Sequence, residues 1–135
     1  MHSTNYTNTF IETAEDCKAD VGMPPPVKED KTIAGMQFEL IHDHPYEYTS
    51  DDVLFTIWAA RNHITEADME TARAGFFSKG QACLRSSPLA KTYGWGIHHD
   101  EDSRVAIYAR GSDEYAALRV DRSLRHVKAM RSSKA

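Results

Sequence analysis

Trp95-Gly96-Ile97-His98-His99 and Arg104-Val105-Ala106-Ile107-Tyr108 stand on either side of Asp100-Glu101-Asp102-Ser103, and the reading of these runs decides the fold. Each flanking run is short and holds β-branched and aromatic residues, and the polar loop between them has hairpin length, so the pair predicts two antiparallel strands. Side chains on a strand alternate between its faces. His98 therefore shares a face with Gly96 and Asp100, while His99 points the opposite way.

Working outward toward the C-terminus, Ser112 is placed to cap a short helix through Tyr115 and Leu118, and His126-Val127-Lys128-Ala129-Met130 alternates like an edge strand. Toward the N-terminus, Ser86-Ser87-Pro88-Leu89 is a helix start, with serine at the cap and proline in the first turn, closed by Gly94. Thr65-Glu66-Ala67-Asp68 resembles a capping box and opens a helix that carries Met69, Ala72, Phe76 and Phe77 as far as Gly80. The stretch Tyr48 to Arg61 predicts a further helix capped by Thr49 or Ser50, with Asp51 and Asp52 at the positive end of its dipole. That placement explains the paired aspartates without metal or acid–base chemistry. Ile33, Met36, Phe38, Leu40 and Ile41 predict a helix over about 33–43, which Pro45 stops. Met23-Pro24-Pro25-Pro26-Val27 favours an extended arm inside a connection spanning about 17–31, and Thr9 to Ala14 reads as a first strand. The order describes an α+β fold: one domain over 1–135, with a small, mainly antiparallel sheet of N-terminal strand, hairpin and last strand, packed with four to five helices.

A chain of 135 residues with 41% hydrophobic residues can build one core without disulfides or a structural metal. No window approaches the ~18 uninterrupted apolar residues of a membrane span, and the opening residues lack a signal-peptide layout, so no membrane contact and a cytoplasmic location are expected. The net charge of −4 hides a split. Residues 1–67 carry four bases and twelve acids, net −8, whereas residues 68–135 carry twelve bases and eight acids, net +4. Arg119 to Lys134 is the most basic segment, but an acidic chain without interleaved aromatics there disfavours nucleic acid as a partner.

Several segments together resemble one family. Asn5-Tyr6, Thr9-Phe10-Ile11-Glu12, Tyr48-Thr49-Ser50-Asp51-Asp52-Val53-Leu54-Phe55, Phe77-Ser78-Lys79-Gly80-Gln81, Cys83-Leu84-Arg85-Ser86-Ser87-Pro88-Leu89, Tyr93-Gly94-Trp95-Gly96-Ile97-His98 and Lys128-Ala129-Met130-Arg131-Ser132-Ser133 are similar to small microbial proteins grouped as domain of unknown function 6157. The likeness spans nearly the whole chain and implies a single domain. It brings no activity, cofactor or site residue with it. Ala82 stands where proline is expected in many relatives, a change in loop rigidity rather than chemistry.

Polar function is concentrated between Lys79 and Asp100. Lys79, Arg85, Ser86 and Ser87 lead into a helix N-terminus, and with Arg131 they form the candidate ligand-binding set for a phosphate or carboxylate. The plainer alternative is that Ser87 only caps the helix while Arg85 and Lys79 pair with the acidic half. His98 and Asp100 form the candidate catalytic pair, because a carboxylate near an imidazole sets its tautomer and raises its pKa. Cys83 between Ala82 and Leu84 reads as a buried small hydrophobe, although a cysteine nucleophile served by His98 is the other arrangement those residue types allow. Cys17 and Cys83 lie far apart, and no Cys/His spacing suits zinc. His42-Asp43-His44, the one metal-capable triplet, falls at a helix end where charge complementarity accounts for it. No metal and no cofactor are expected. The function expected is binding of a small anionic ligand with acid–base chemistry at His98. The alternative is a non-catalytic interaction or homo-oligomerisation module joining the acidic half of one copy to the basic half of another.

Overall fold

The strand formed first in the chain lies inside the sheet. The computed structural model describes residues 2–132, and Lys134, the last base of the C-terminal run, lies outside them. Strands β1 (Thr9–Glu12), β2 (Trp95–His99), β3 (Val105–Ala109) and β4 (Arg125–Lys128) form one sheet in the order β3-β2-β1-β4. β2 runs antiparallel to both neighbours, with Phe10 opposite His98 and Ile97 opposite Ile107. β4 runs parallel to β1, placing His126 opposite Phe10.

The sheet is thus mixed, which corrects the mainly antiparallel arrangement expected from the sequence. The reason lies in the connection. Helix α5 (Asp113–Arg119) crosses one face of the sheet between β3 and β4, and a helical crossover returns the chain in its original direction. Alternation in the sequence marked β4 as a strand but says nothing of which neighbour it meets.

Four more helices complete the α+β fold: α1 (Ile33–His42), α2 (Ser50–Arg61), α3 (Met69–Phe76) and the single turn α4 (Pro88–Lys91). Their starts follow local chemistry. The Thr32, Ser87 and Ser112 hydroxyls accept from the Gly35, Leu89 and Tyr115 amides and so cap α1, α4 and α5. The reciprocal capping box forms at Thr49 and Asp52, not at Thr65. The Thr65 hydroxyl donates to the Asp68 carboxylate, and Glu66–Asp68 is a 3₁₀ turn ahead of α3. α3 ends at Phe76, short of Gly80, because Phe77 turns into the interior and is fully buried. Beyond the connection's arm, the Trp95 indole donates to the Met23 carbonyl at 2.8 Å and ties that segment to β2.

Strand alternation gives the sheet two different faces. Ile11, Trp95, Ile97, Val105 and Ile107 face Ile41 of α1, Val53 and Ile57 of α2, and Leu89 of α4 in the main core. On the outer face α5 lays Tyr115 against Phe10, ring centroids 5.1 Å apart. A smaller cluster of Phe55, Ala59 and Phe77 joins α2 to α3.

The paired aspartates tie the start of α2 to other segments. The Asp51 carboxylate, 5% exposed, accepts from the Thr4 amide and hydroxyl at 2.7 Å and from the Ser3 hydroxyl at 2.8 Å. Burial works against the charge of Asp52, but the Thr49 amide and the Arg73 guanidinium at 2.9 Å, with the Thr49 hydroxyl, hold it below the usual carboxylate range.

Gly96 is where the two outer-face rings come closest to the backbone. A Cβ there would lie 2.6 Å from Tyr115 Cε2 and would also strike the Phe10 ring. Both rings are buried and have little room to retreat. Gly96→Ala should therefore destabilise the fold by about 1–3 kcal/mol, read as a lower urea midpoint at an unchanged m value. An unchanged midpoint would refute this account of the outer face.

Candidate functional site

His98 is half-buried on the outer face, one residue along from the fully buried His99. Ala106 stands opposite it on β3 and Phe10 on β1, and Gly96, two residues back on its own strand, stands opposite Tyr108 and leaves room on that face. Into that space comes Tyr46 from the turn after α1. The turn is fastened to β3 by two backbone bonds, Tyr46 N–H to the Val105 carbonyl and Val105 N–H to the Tyr48 carbonyl, at 2.9 and 2.8 Å. Tyr46 itself has a φ of 59°, a left-handed conformation that costs a bulky residue free energy and marks a position set by its surroundings. Its hydroxyl lies 2.7 Å from His98 Nδ1 and 2.8 Å from the Tyr108 hydroxyl.

The result is a chain of three groups, Tyr108, Tyr46 and His98. Burial, reinforced by the bond to Tyr108, pushes the Tyr46 phenol well above its ordinary value, so it stays protonated. Burial also lowers the His98 pKa and outweighs the opposing pull of the Asp100 and Asp121 charges, so the ring is neutral at pH 7. The hydrogen bonds have two consistent orders. Tyr108 donates to Tyr46 and Tyr46 to Nδ1, leaving N–H at Nε2. Alternatively, Nδ1 donates to Tyr46 and Tyr46 to Tyr108, leaving a lone pair at Nε2. The two orders differ in whether Nε2 carries a proton or a lone pair.

Asp100 serves mainly the hairpin. Its Oδ1 accepts from the amides of Asp102 and Arg104 at 2.9 and 2.8 Å, and it reaches His98 only through its field. Of the five residues expected to hold an anion, three have partners within the fold and two are exposed. The buried Ser87 hydroxyl caps α4 and donates to Gln37 Oε1. Arg85 Nε donates to the Lys128 carbonyl at 2.7 Å, while the Met130 amide donates to the Arg85 carbonyl, so Arg85 lies along the free edge of β4. Arg131 stands 3.9 Å from Glu15, and Ser86 and Lys79 are exposed. The structure brings Arg85 beside the segment that carries Arg131. His98 is two strands away, about 10 Å across the sheet.

Cys83 belongs to the other face. Its sulfur lies 3.4 Å from the Tyr6 hydroxyl, and the Tyr6 ring packs edge-on against His99 at 5.4 Å, so the sheet stands between this thiol and His98. Cys17 is buried. His42 stacks on Phe38 and bonds Asp43, while His44 bonds Glu47.

The model of a family of unknown function, DUF6157, matches residues 1–135. The chain belongs to DUF6157. No curated protein and no solved structure matches it.

In this DUF6157 chain, the residues that sequence reasoning did not single out as functional are Tyr46 and Tyr108. Tyr108 shares its strand phase with Ala106, so a known register would have placed it on the face of His98. Tyr46 carried no signal, since nothing in the sequence predicts a left-handed tyrosine. His99 was set aside because alternation along the strand turns it away from the face of His98, and in the fold it is buried against the edge of the Tyr6 ring. Neither ring nitrogen makes a hydrogen bond, and although the Ile97 backbone favours a ring proton without meeting bonding geometry, burial dominates and brings the pKa down to about 4.

That value fixes a pH dependence for the DUF6157 fold. Unfolded His99 takes a proton below about pH 6.5, but folded His99 takes one only near pH 4, so its contribution is intact above pH 6.5 and is lost as pH falls toward 4. The loss at pH 4 should be on the order of 3 kcal/mol. Urea unfolding of wild type and His99→Phe at pH 7 and pH 4 measures it. The variant should lose clearly less stability on acidification, and equal losses would show that His99 is not the group responsible.

Proposed function

We propose that this protein binds a small metabolite on the outer face of its sheet and exchanges a proton with it through His98. The observation that carries this reading is the Tyr108–Tyr46–His98 chain, closed at 2.8 and 2.7 Å around a tyrosine held in a left-handed conformation. A neutral imidazole at working pH is the form able to accept a proton, and a relay behind Nδ1 lets the ring change tautomer as Nε2 gives or takes one. His98 is the catalytic residue of this reading, Tyr46 and Tyr108 the relay, and Asp100 a source of negative field that favours the imidazolium once formed.

Asp100 and Asp121 also bear on the ligand. Two carboxylates acting on His98 oppose an anionic group at the reacting atom and favour one that is neutral or gains positive charge. An anionic portion of a ligand, for which Lys79, Arg85, Ser86, Ser87 and Arg131 were the expected contacts, is better held away from the imidazole.

Proton exchange is measurable before any reaction is named. Metabolite pools incubated with the protein in D₂O and read by mass spectrometry should show solvent deuterium entering specific compounds. His98→Gln, which keeps a polar group at the same place, should slow that entry by about a hundredfold or more, and Tyr46→Phe should slow it while leaving binding intact. Exchange that survives His98→Gln unchanged, or no exchange in any pool, would overturn the assignment.

A further inference from the structure

On the far side of the molecule from His98, helices α1, α2 and α3 leave a cleft of about 250 Å³ between them. It arises because α2 has three sides in use. Val53 and Ile57 serve the main core, and Phe55 and Ala59 the smaller one. Leu54, Trp58 and Arg61, spaced i, i+4 and i+7, form a third stripe along the cleft. Phe76 of α3 closes one wall, its ring 5.2 Å from that of Trp58. Ile33 of α1 closes the other and is left 44% exposed.

Two donors address this apolar space. Gln37 of α1 lines it although only 4% of the residue is exposed. The Ser87 hydroxyl occupies Gln37 Oε1, and the amide NH₂ makes no hydrogen bond to any described residue, so the open end of this buried amide is a donor. Arg61 supplies the cleft's charge: no acidic residue lines it, and among the described residues the guanidinium has no ion-pair partner. The remaining polar groups are partly committed, with the Gln81 amide on the Phe76 carbonyl and the Asn62 amide on that of Trp58, both at 2.8 Å.

From this geometry we infer that the α1–α2–α3 cleft is a binding site for a small free carboxylic acid with a flat or branched apolar body. The body lies between Trp58 and Phe76, and the carboxylate meets Arg61 at the rim and the Gln37 amide within. Charge complementarity selects an anion, because a cationic or neutral head would leave the guanidinium without an opposing charge. The apolar lining selects the body, and the volume, small for a ligand site, selects a compound of modest size. This site is independent of the proton relay.

The test uses the whole chain, ¹⁵N-labelled, with the Trp58 indole as reporter in NMR titrations. Phenylacetate, 4-methylpentanoate, acetate and the neutral phenylacetamide are the probes. Phenylacetate and 4-methylpentanoate should shift the Trp58 indole and the amides around Arg61, with acetate and phenylacetamide at least about tenfold weaker. Arg61→Met, at an exposed position, should abolish the preference for phenylacetate over its amide while an unchanged amide spectrum elsewhere reports an intact fold. Equal binding of acid and amide, or no shift at about 20 mM of either apolar acid, overturns the inference. Tighter binding of a tripeptide ending in phenylalanine also overturns it, by assigning the cleft to a chain terminus.

Discussion

β1 is hydrogen-bonded along both edges and covered on both faces, and that double confinement organises the molecule. Phe10 and Ile11 are adjacent in sequence, point to opposite sides of the sheet, and are both fully buried. Ile11 can be enclosed only if helices cover one face, and Phe10 only if something covers the other. The partners on its edges, β2 and β4, are contributed from residue 95 onward. The start of the chain therefore completes its bonding only when the end is in place, a topology of distant contacts that favours slow, cooperative folding. The Asp51 carboxylate strengthens the arrangement by holding Ser3 and Thr4 against the start of α2.

The outer face follows from the same constraint. A helix of seven residues is about 10 Å long, enough to cover the Phe10 and Gly96 region but not a four-stranded sheet. α5 accordingly leaves part of that face to other groups. Tyr46 fills part of it at the expense of a left-handed backbone, and the gap between these two unequal covers is where His98 remains half accessible.

Local chemistry was legible in the sequence and long-range partnership was not. The hairpin, the Thr49, Ser87 and Ser112 caps and the opposite facing of His98 and His99 follow from alternation and from which side chains can accept an amide. The parallel pairing of β4, the insertion of Tyr46 and the burial of Asp51 depend on segments that meet only after folding. The charge split was visible, but its use was not. Arg73 meets Asp52, Arg119 comes near Glu12, and Lys128 and Arg131 reach Glu15. Each pair joins the basic half to the acidic half within one chain, and the two on Glu15, at exposed positions, add little energy. These contacts draw on the same charges that attraction between two copies would require.

Ser87 shows how a residue's apparent purpose changes once its partners are known. In the sequence it belonged to a candidate anion cradle at a helix start. In the fold its oxygen accepts the Leu89 amide, and that leaves its single proton for Gln37 Oε1. A primary amide with its oxygen occupied presents its NH₂ group outward, so the cap of a four-residue helix sets the polarity of a cleft formed by three other helices. Were Ser87 to accept from Gln37 instead, the amide would turn an oxygen toward the cleft and, facing Arg61, neutralise part of the field that selects an anion. The serine thus bears on anion recognition through the orientation it imposes on its neighbour.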